Sequence, residues 1–254
     1  MTIPLLLLAG FDPSGGAGIL ADAATARACG CYPLGVPTTL TIQNSLHFES
    51  ADPVATTYIE RAVAMLAAEF SFDTAKAGLV PVDDAAWLER IGDLLRRHCR
   101  RIVIDPVLRP TAGVQSIAFG SAYLSFLAGT VVTPNHHELA LLAKAAGVER
   151  FDVAATALAL AEYLDGTTVV TYEGSEPRIL VADREGTTDI PITLVPLDRP
   201  VHGTGCRFST ALACSLAQGK SLPDAVADAA AHLTAALQRR EHFHPDGQEF
   251  ILSE

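Results

Sequence analysis

The sequence predicts an α/β protein, a three-layer αβα sandwich whose central sheet is mostly parallel. Three observations carry that prediction. Short apolar runs alternate with longer helix-forming stretches along the whole chain. The runs are apolar throughout rather than at every second residue, as strands covered on both faces are. Two glycine-rich turns each lead straight into a helix-forming stretch.

The elements follow in order. Pro4–Ala9 reads as a first buried strand, Gly10–Gly18 as a turn and the alanine-rich Ile19–Cys29 as a helix. Pro33–Thr38 reads as a strand. Thr57–Phe70 is helical in pattern, with Ile59, Val63, Leu66 and Phe70 on one face. Thr74–Ala77 is a short strand, and Asp83 is placed to cap a helix running to Arg97. Arg101–Ile104 and Thr130–Thr133 are strands, His136–Ala146 and Val153–Leu164 helices, and Thr168–Tyr172 and Arg178–Val181 strands. Two helices, Gly205–Gln218 and Leu222–Arg239, close the pattern. Arg184–Asp189 is the most polar break, and the last dozen residues read as loosely held. With no internal repeat or low-complexity linker, residues 1–254 read as one domain.

Composition narrows the function. A chain of 254 residues with 49% hydrophobic residues has ample core for an α/β domain. A net charge of −11 argues against nucleic acid or an anionic membrane as the main partner. The five cysteines are odd in number and lack a C-x-x-C pair, which fits reduced thiols in the cytoplasm better than a disulfide framework or a zinc site. Pro4–Ala9 is too short for a signal peptide or membrane span.

The motif with most chemistry is His202-Gly203-Thr204-Gly205-Cys206, which opens a helix. Glycines let successive backbone N–H groups converge, and the helix N-terminus adds about half a positive charge there. Such a nest binds a phosphate oxygen or a developing anion. Cys206 lies in the first turn, where the same field favours a thiolate; packing is its alternative role. Gly10–Gly18 is a second turn of this kind, yet it matches neither the Walker A pattern nor G-x-G-x-x-G. Each motif ends a strand: Gly10–Gly16, Asp105-Pro106, Thr133–Asn135 and Gly203–Cys206. In a parallel sheet that gathers them on one edge, where ligands bind.

These residues resemble a known family. AGFDPSGGAGILAD (Ala9–Asp22) is similar to the AGxDPSGGAGxxAD signature of hydroxymethylpyrimidine/phosphomethylpyrimidine kinases, members of the ribokinase-like superfamily. The resemblance recurs in order through TIQNS (Thr41–Ser45), KAGLV (Lys76–Val80), VIDPVL (Val103–Leu108), VTPNHHELALL (Val132–Leu142) and HGTGCRFSTALA (His202–Ala213). It implies a ribokinase-like fold and a kinase that uses ATP and Mg2+. The acceptor would be 4-amino-5-hydroxymethyl-2-methylpyrimidine and then its monophosphate, in thiamine biosynthesis, with the enzyme acting as a homodimer.

By that resemblance Gly203, Thr204, Gly205 and Cys206 form the anion hole, Cys206 standing where sugar kinases carry a base aspartate. Asn135 and Glu138 match an N-x-x-E segment that organises magnesium through water, although the same pair suits a helix-capping box. Asp105 is a further candidate near metal and phosphates, or a strand-end turn residue, and Thr133 and Thr171 fall on the nucleotide side. Gln43 suits recognition of an aminopyrimidine edge, because an amide both donates and accepts. Asp22 and Gly10 belong to the same pocket by resemblance, with Val80 and Val107 as apolar walls; Asp22 is alternatively a polar residue of the first helix. His47, His136, His137 and His202 have no metal-ligand spacing and read as solvated or hydrogen-bonded.

The chain departs from the family pattern at two places. LRPTAG (Leu108–Gly113) replaces a K-x-G flap, with Arg109 as its cation, and Thr171-Tyr172-Glu173-Gly174 replaces KGGH and removes a phosphate-contacting lysine. Two other readings therefore stand beside the thiamine-pathway kinase: a pyridoxine or pyridoxal kinase, and a non-catalytic pyrimidine-binding paralogue.

Overall fold

The computed structural model describes residues 2–107, 119–172, 177–193 and 195–252. A nine-stranded sheet runs through it in the order β3-β2-β1-β4-β5-β6-β7-β8-β9. Its strands are β1 (Ile3–Phe11), β2 (Cys31–Gln43), β3 (Phe48–Pro53), β4 (Thr74–Ala77), β5 (Arg101–Ile104), β6 (Val131–Val132), β7 (Thr167–Tyr172), β8 (Arg178–Asp183) and β9 (Gly186–Pro191). The six from β2 to β7 in spatial order are parallel, while β3, β8 and β9 pair antiparallel at the two edges.

The helices are α1 (Gly18–Ala28), α2 (Thr56–Ala67), α3 (Ala85–His98), α4 (Ser121–Leu127), α5 (His136–Ala146), α6 (Val153–Leu164), α7 (Thr204–Ala217) and α8 (Leu222–Ala236). The strand alternation divides them into two layers. In β1, Leu6 and Leu8 face a core built with Ile59, Leu88, Leu124, Leu142 and Leu160 of α2–α6. Leu5 and Leu7 face the opposite core, with Ala26, Phe208, Leu212 and Val226 of α1, α7 and α8. A second, three-stranded sheet joins β10 (Val201–His202), β12 (Glu249–Ile251) and β11 (Arg240–His242) in that order.

The predicted fold class holds, with corrections to particular elements. Strand β2 continues through Gln43, because Thr38–Gln43 has the two-residue alternation of a β-hairpin and pairs with β3. The segment read as a polar break contains β9, which Gly186 enters at φ +128°. Asp84, not Asp83, caps α3 by accepting from Trp87 N at 3.0 Å. The last residues are not loose throughout: β12 pairs on both sides and Ile251 is buried. Helix α4 carries no cap or long periodic run in sequence and was not foreseen.

After β1 the chain moves through α1 to β2 on one side, and through α2 to β4 on the other. The ends of β1 and β4 are therefore the topological switch point, where an open α/β sheet leaves a crevice.

Candidate active site

A cleft lies at that switch point. Its lining includes Ala9, Gly10, Gly18, Thr41, Gln43, Gly78, Leu79, Val107 and Cys206, together with Asp12, Ala17 and His202. It is a narrow cleft of about 50 Å³. Gly10, Gln43, Val107 and Cys206 of the predicted residues thus meet. Val80 does not: it is buried in the core between the sheet and α2–α6, and its neighbour Leu79 takes the wall position.

The two glycine turns are built against each other. Gly203 has φ +78°, and a Cβ there would lie 2.0 Å from the Gly16 carbonyl oxygen. Gly18, at φ +60°, leaves no room either, since its Cβ would lie 2.2 Å from the Gly10 oxygen. A pin crosses the junction. Asp12 accepts from Ser14 N, Ser14 Oγ and Ala17 N at 2.8–3.0 Å, and its second role is a 2.8 Å contact with His202 Nε2. Phe250 of β12 packs edge-on against the His202 ring. Burial raises the Asp12 carboxyl, but the hydrogen bonds of His202 and Ser14 outweigh it and hold Asp12 below the ordinary aspartate range. The expectation of a hydrogen-bonded His202 agrees with this geometry.

No side chain caps α7, so the N–H groups of its first turn stay open toward the cleft end. Beneath them lies a buried charged cluster. Lys76 Nζ, wholly inaccessible, is 2.8 Å from Asp22 Oδ2, and Thr210 Oγ1 donates to Asp22 Oδ1 at 2.9 Å. Asp105 accepts from Ser209 Oγ at 3.4 Å and from the Cys206 thiol. Burial opposes the charge on Lys76, yet the carboxylates of Asp22 and Asp105 raise it well above the ordinary lysine range. Burial pushes both Asp22 and Asp105 up, with Lys76 pulling each back.

This cluster corrects two expectations. Asp22 does not line the cleft; it sits behind it as the counter-ion of Lys76. At Cys206 the surroundings disfavour the thiolate expected from the helix position. Burial pushes its thiol well above the ordinary cysteine range, and the carboxylates of Asp105 and Asp22 add to that against Lys76 and the Gly18 N–H. The helix field alone does not overcome desolvation.

Asp105, Thr133 and Thr171, expected on the nucleotide side, stand at the ends of the neighbouring strands β5, β6 and β7. Asn135 and Thr171 form a bridge between the last two. Asn135 and Glu138 make the capping box: Glu138 N donates to Asn135 Oδ1 at 2.9 Å, and Asn135 N donates to Glu138 Oε2 at 2.8 Å. Among the described residues no group of three histidine, cysteine or acidic side chains could hold a metal unaided. One carboxylate with waters remains a fit for magnesium, and Glu138 would be that carboxylate. Asp105 fits less well, because Ser209 and Cys206 already engage it under α7. The LRPTAG flap, Arg109, Glu173 and Gly174 lie outside the described residues.

Lys76, Asp12 and His202 were missed as site residues. A signal existed for Lys76: a lone lysine in an apolar strand needs a buried counter-ion, and Asp22 is the one acid of α1.

The comparisons agree with the geometry. The family model for phosphomethylpyrimidine kinase matches residues 12–249. A hydroxymethylpyrimidine/phosphomethylpyrimidine kinase of Rhizobium meliloti is 32% identical, covering 93% of this chain and 91% of its own. One from Streptomyces coelicolor is 31% identical over 93% and 90%. Among solved structures, a pyridoxal kinase of Staphylococcus aureus with ADP matches at TM-score 0.84 and 21% identity, covering 100% of this chain and 94% of that one. A phosphomethylpyrimidine kinase of Clostridium difficile matches at TM-score 0.73 and 22% identity, covering 93% and 100%. At such identities the structural matches speak to the fold.

Proposed function

The chain belongs to the phosphomethylpyrimidine kinase family, and from that premise we propose that it phosphorylates 4-amino-5-hydroxymethyl-2-methylpyrimidine, and then its monophosphate, with ATP. The observation that supports this most is one cleft lined both by Gln43 and by Cys206 in the first turn of α7, a helix that no side chain caps. Gln43 pairs with the aminopyrimidine edge, Val107 and Leu79 cover the ring, and the hydroxymethyl group points to the first turn of α7. The hydroxyl oxygen attacks the γ-phosphorus of ATP as the bond to the β-phosphate oxygen breaks and ADP leaves. Backbone N–H groups of Thr204, Gly205 and Cys206 hold the moving phosphoryl group.

Phosphoryl transfer is loose in its transition state and asks little of a base early on. A neutral Cys206 thiol is compatible with that, and we assign Cys206 to shaping the anion hole. Asp105, Thr133, Asn135 and Thr171 serve the nucleotide side. Glu138 would hold magnesium through water, and the bound ion would neutralise charge on the phosphates. The hairpin of β2 and β3 exposes Leu40 and Ile42, which supports a homodimer, and five free cysteines support a reducing, cytoplasmic setting.

A coupled ADP-release assay tests the proposal. The expected order of kcat/KM places hydroxymethylpyrimidine and its phosphate above pyridoxal. A preference for pyridoxal, or no turnover with any of them, overturns it.

A further inference from the structure

Three of the five cysteines meet on the side of the sheet covered by α1, α7 and α8, away from the cleft. Cys29 caps α1, Cys31 opens β2 and Cys214 lies in α7. The Cys214 thiol shares hydrogen bonds with both of the others. His232 of α8 hydrogen-bonds Cys29, and Gln218 Nε2 donates to the Cys29 carbonyl at 2.8 Å while lying 3.9 Å from Cys31 Sγ. Cys31 and Cys214 are buried, whereas Cys29 is partly exposed. The phosphoryl transfer above uses none of these groups. They are not a metal site, since no metal-holding group occurs among the described residues.

We propose that this cluster is a thiol-oxidation site, at which Cys29 reacts with a hydroperoxide and Cys214 then closes a disulfide between α1 and α7. The geometry supplies each part: a partly exposed cysteine, a neighbouring imidazole and a buried second thiol hydrogen-bonded to the first. The hydrogen bond from Cys214 and then that from His232 pull the Cys29 thiol down, with burial and Asp228 working against them. In the first step the Cys29 thiolate attacks one peroxide oxygen. The O–O bond breaks, the leaving oxygen takes a proton and departs as alcohol or water, and Cys29 becomes a sulfenic acid. In the second step the Cys214 sulfur attacks that sulfur and the S–O bond breaks. The hydroxide leaves with the Cys214 proton as water, so two thiols have lost two electrons to one hydroperoxide. The bridge has a mechanical consequence for the site. Cys214 is eight residues beyond Cys206, about 12 Å along the same helix, and α1 begins at the other glycine turn.

The test treats the whole protein with hydrogen peroxide, blocks remaining thiols under denaturing conditions and maps the peptides by mass. The expected product is a Cys29–Cys214 disulfide that dithiothreitol reverses. It should be absent from Cys29→Ser, which alters only a partly exposed side chain, and from Cys214→Ala, and should persist in Cys31→Ser. Oxidation of Cys206 or Cys99 ahead of Cys29, a Cys29–Cys31 bridge, or direct passage of Cys29 to sulfinic acid with no disulfide overturns the proposal. None of these readouts requires the protein to be a kinase, so they stand or fall apart from the proposed reaction.

Discussion

At the scale of single residues, burial decides charge more than sequence position does. Cys206 sits where a helix N-terminus favours a thiolate, yet burial and the carboxylates of Asp105 and Asp22 push its thiol up and favour the protonated form. Iodoacetamide should therefore alkylate Cys206 slowly at pH 7.5, and Cys206→Ser should lower kcat by at most about tenfold, about 1.4 kcal/mol. A loss of several orders of magnitude would instead make the thiol an obligatory base. Lys76 and Asp22 show the same physics in a pair. Lys76→Met leaves a buried carboxylate without its partner and should cost about 3–5 kcal/mol, whereas Lys76→Met with Asp22→Leu should recover much of that. Urea unfolding of the single and double variants measures both. Gln43 was legible from its chemistry and its place in TIQNS. Asp22 was misplaced into the pocket because a sequence does not reveal which face of a helix meets which strand.

At the scale of elements, the site depends on two turns whose backbones leave no room for side chains. Gly203→Ala places a Cβ against the Gly16 carbonyl at a left-handed backbone position, so the turns must separate. Activity should fall at least a hundredfold, with a drop in thermal stability; near-normal turnover would show that the turns do not act together. Most parallel strands and long helices were legible, because continuous apolar runs and amphipathic periods are local signals. What was missed is what non-local pairing creates. Strand β9 is polar and forms only because β8 offers it an edge, and β12 is three residues held between β10 and β11. Asp12 and His202, 190 residues apart in the chain, meet only once both turns are folded.

At the scale of the molecule, the fold places a cleft where the chain reverses direction between β1 and β4, and pins its two turns with Asp12 and His202. The pin has a pH signature. Asp12 titrates lower in the folded chain than in the unfolded one, where aspartate titrates at about 4. Its contribution is therefore complete above about pH 4 and is lost as pH falls through the lower folded value. The stability gap between the native protein and Asp12→Asn should close as acid protonates Asp12; a gap that persists unchanged in acid would remove the carboxylate from the pin. The central claim, that this cleft binds an aminopyrimidine through Gln43, is tested most directly by calorimetric titration of hydroxymethylpyrimidine into the native protein and Gln43→Ala. Leaving the pyrimidine's buried polar edge unpaired costs about 1–3 kcal/mol, so affinity should fall roughly ten- to a hundredfold at unchanged melting temperature. Equal affinity in the two proteins, or no binding to the native one, would contradict the claim.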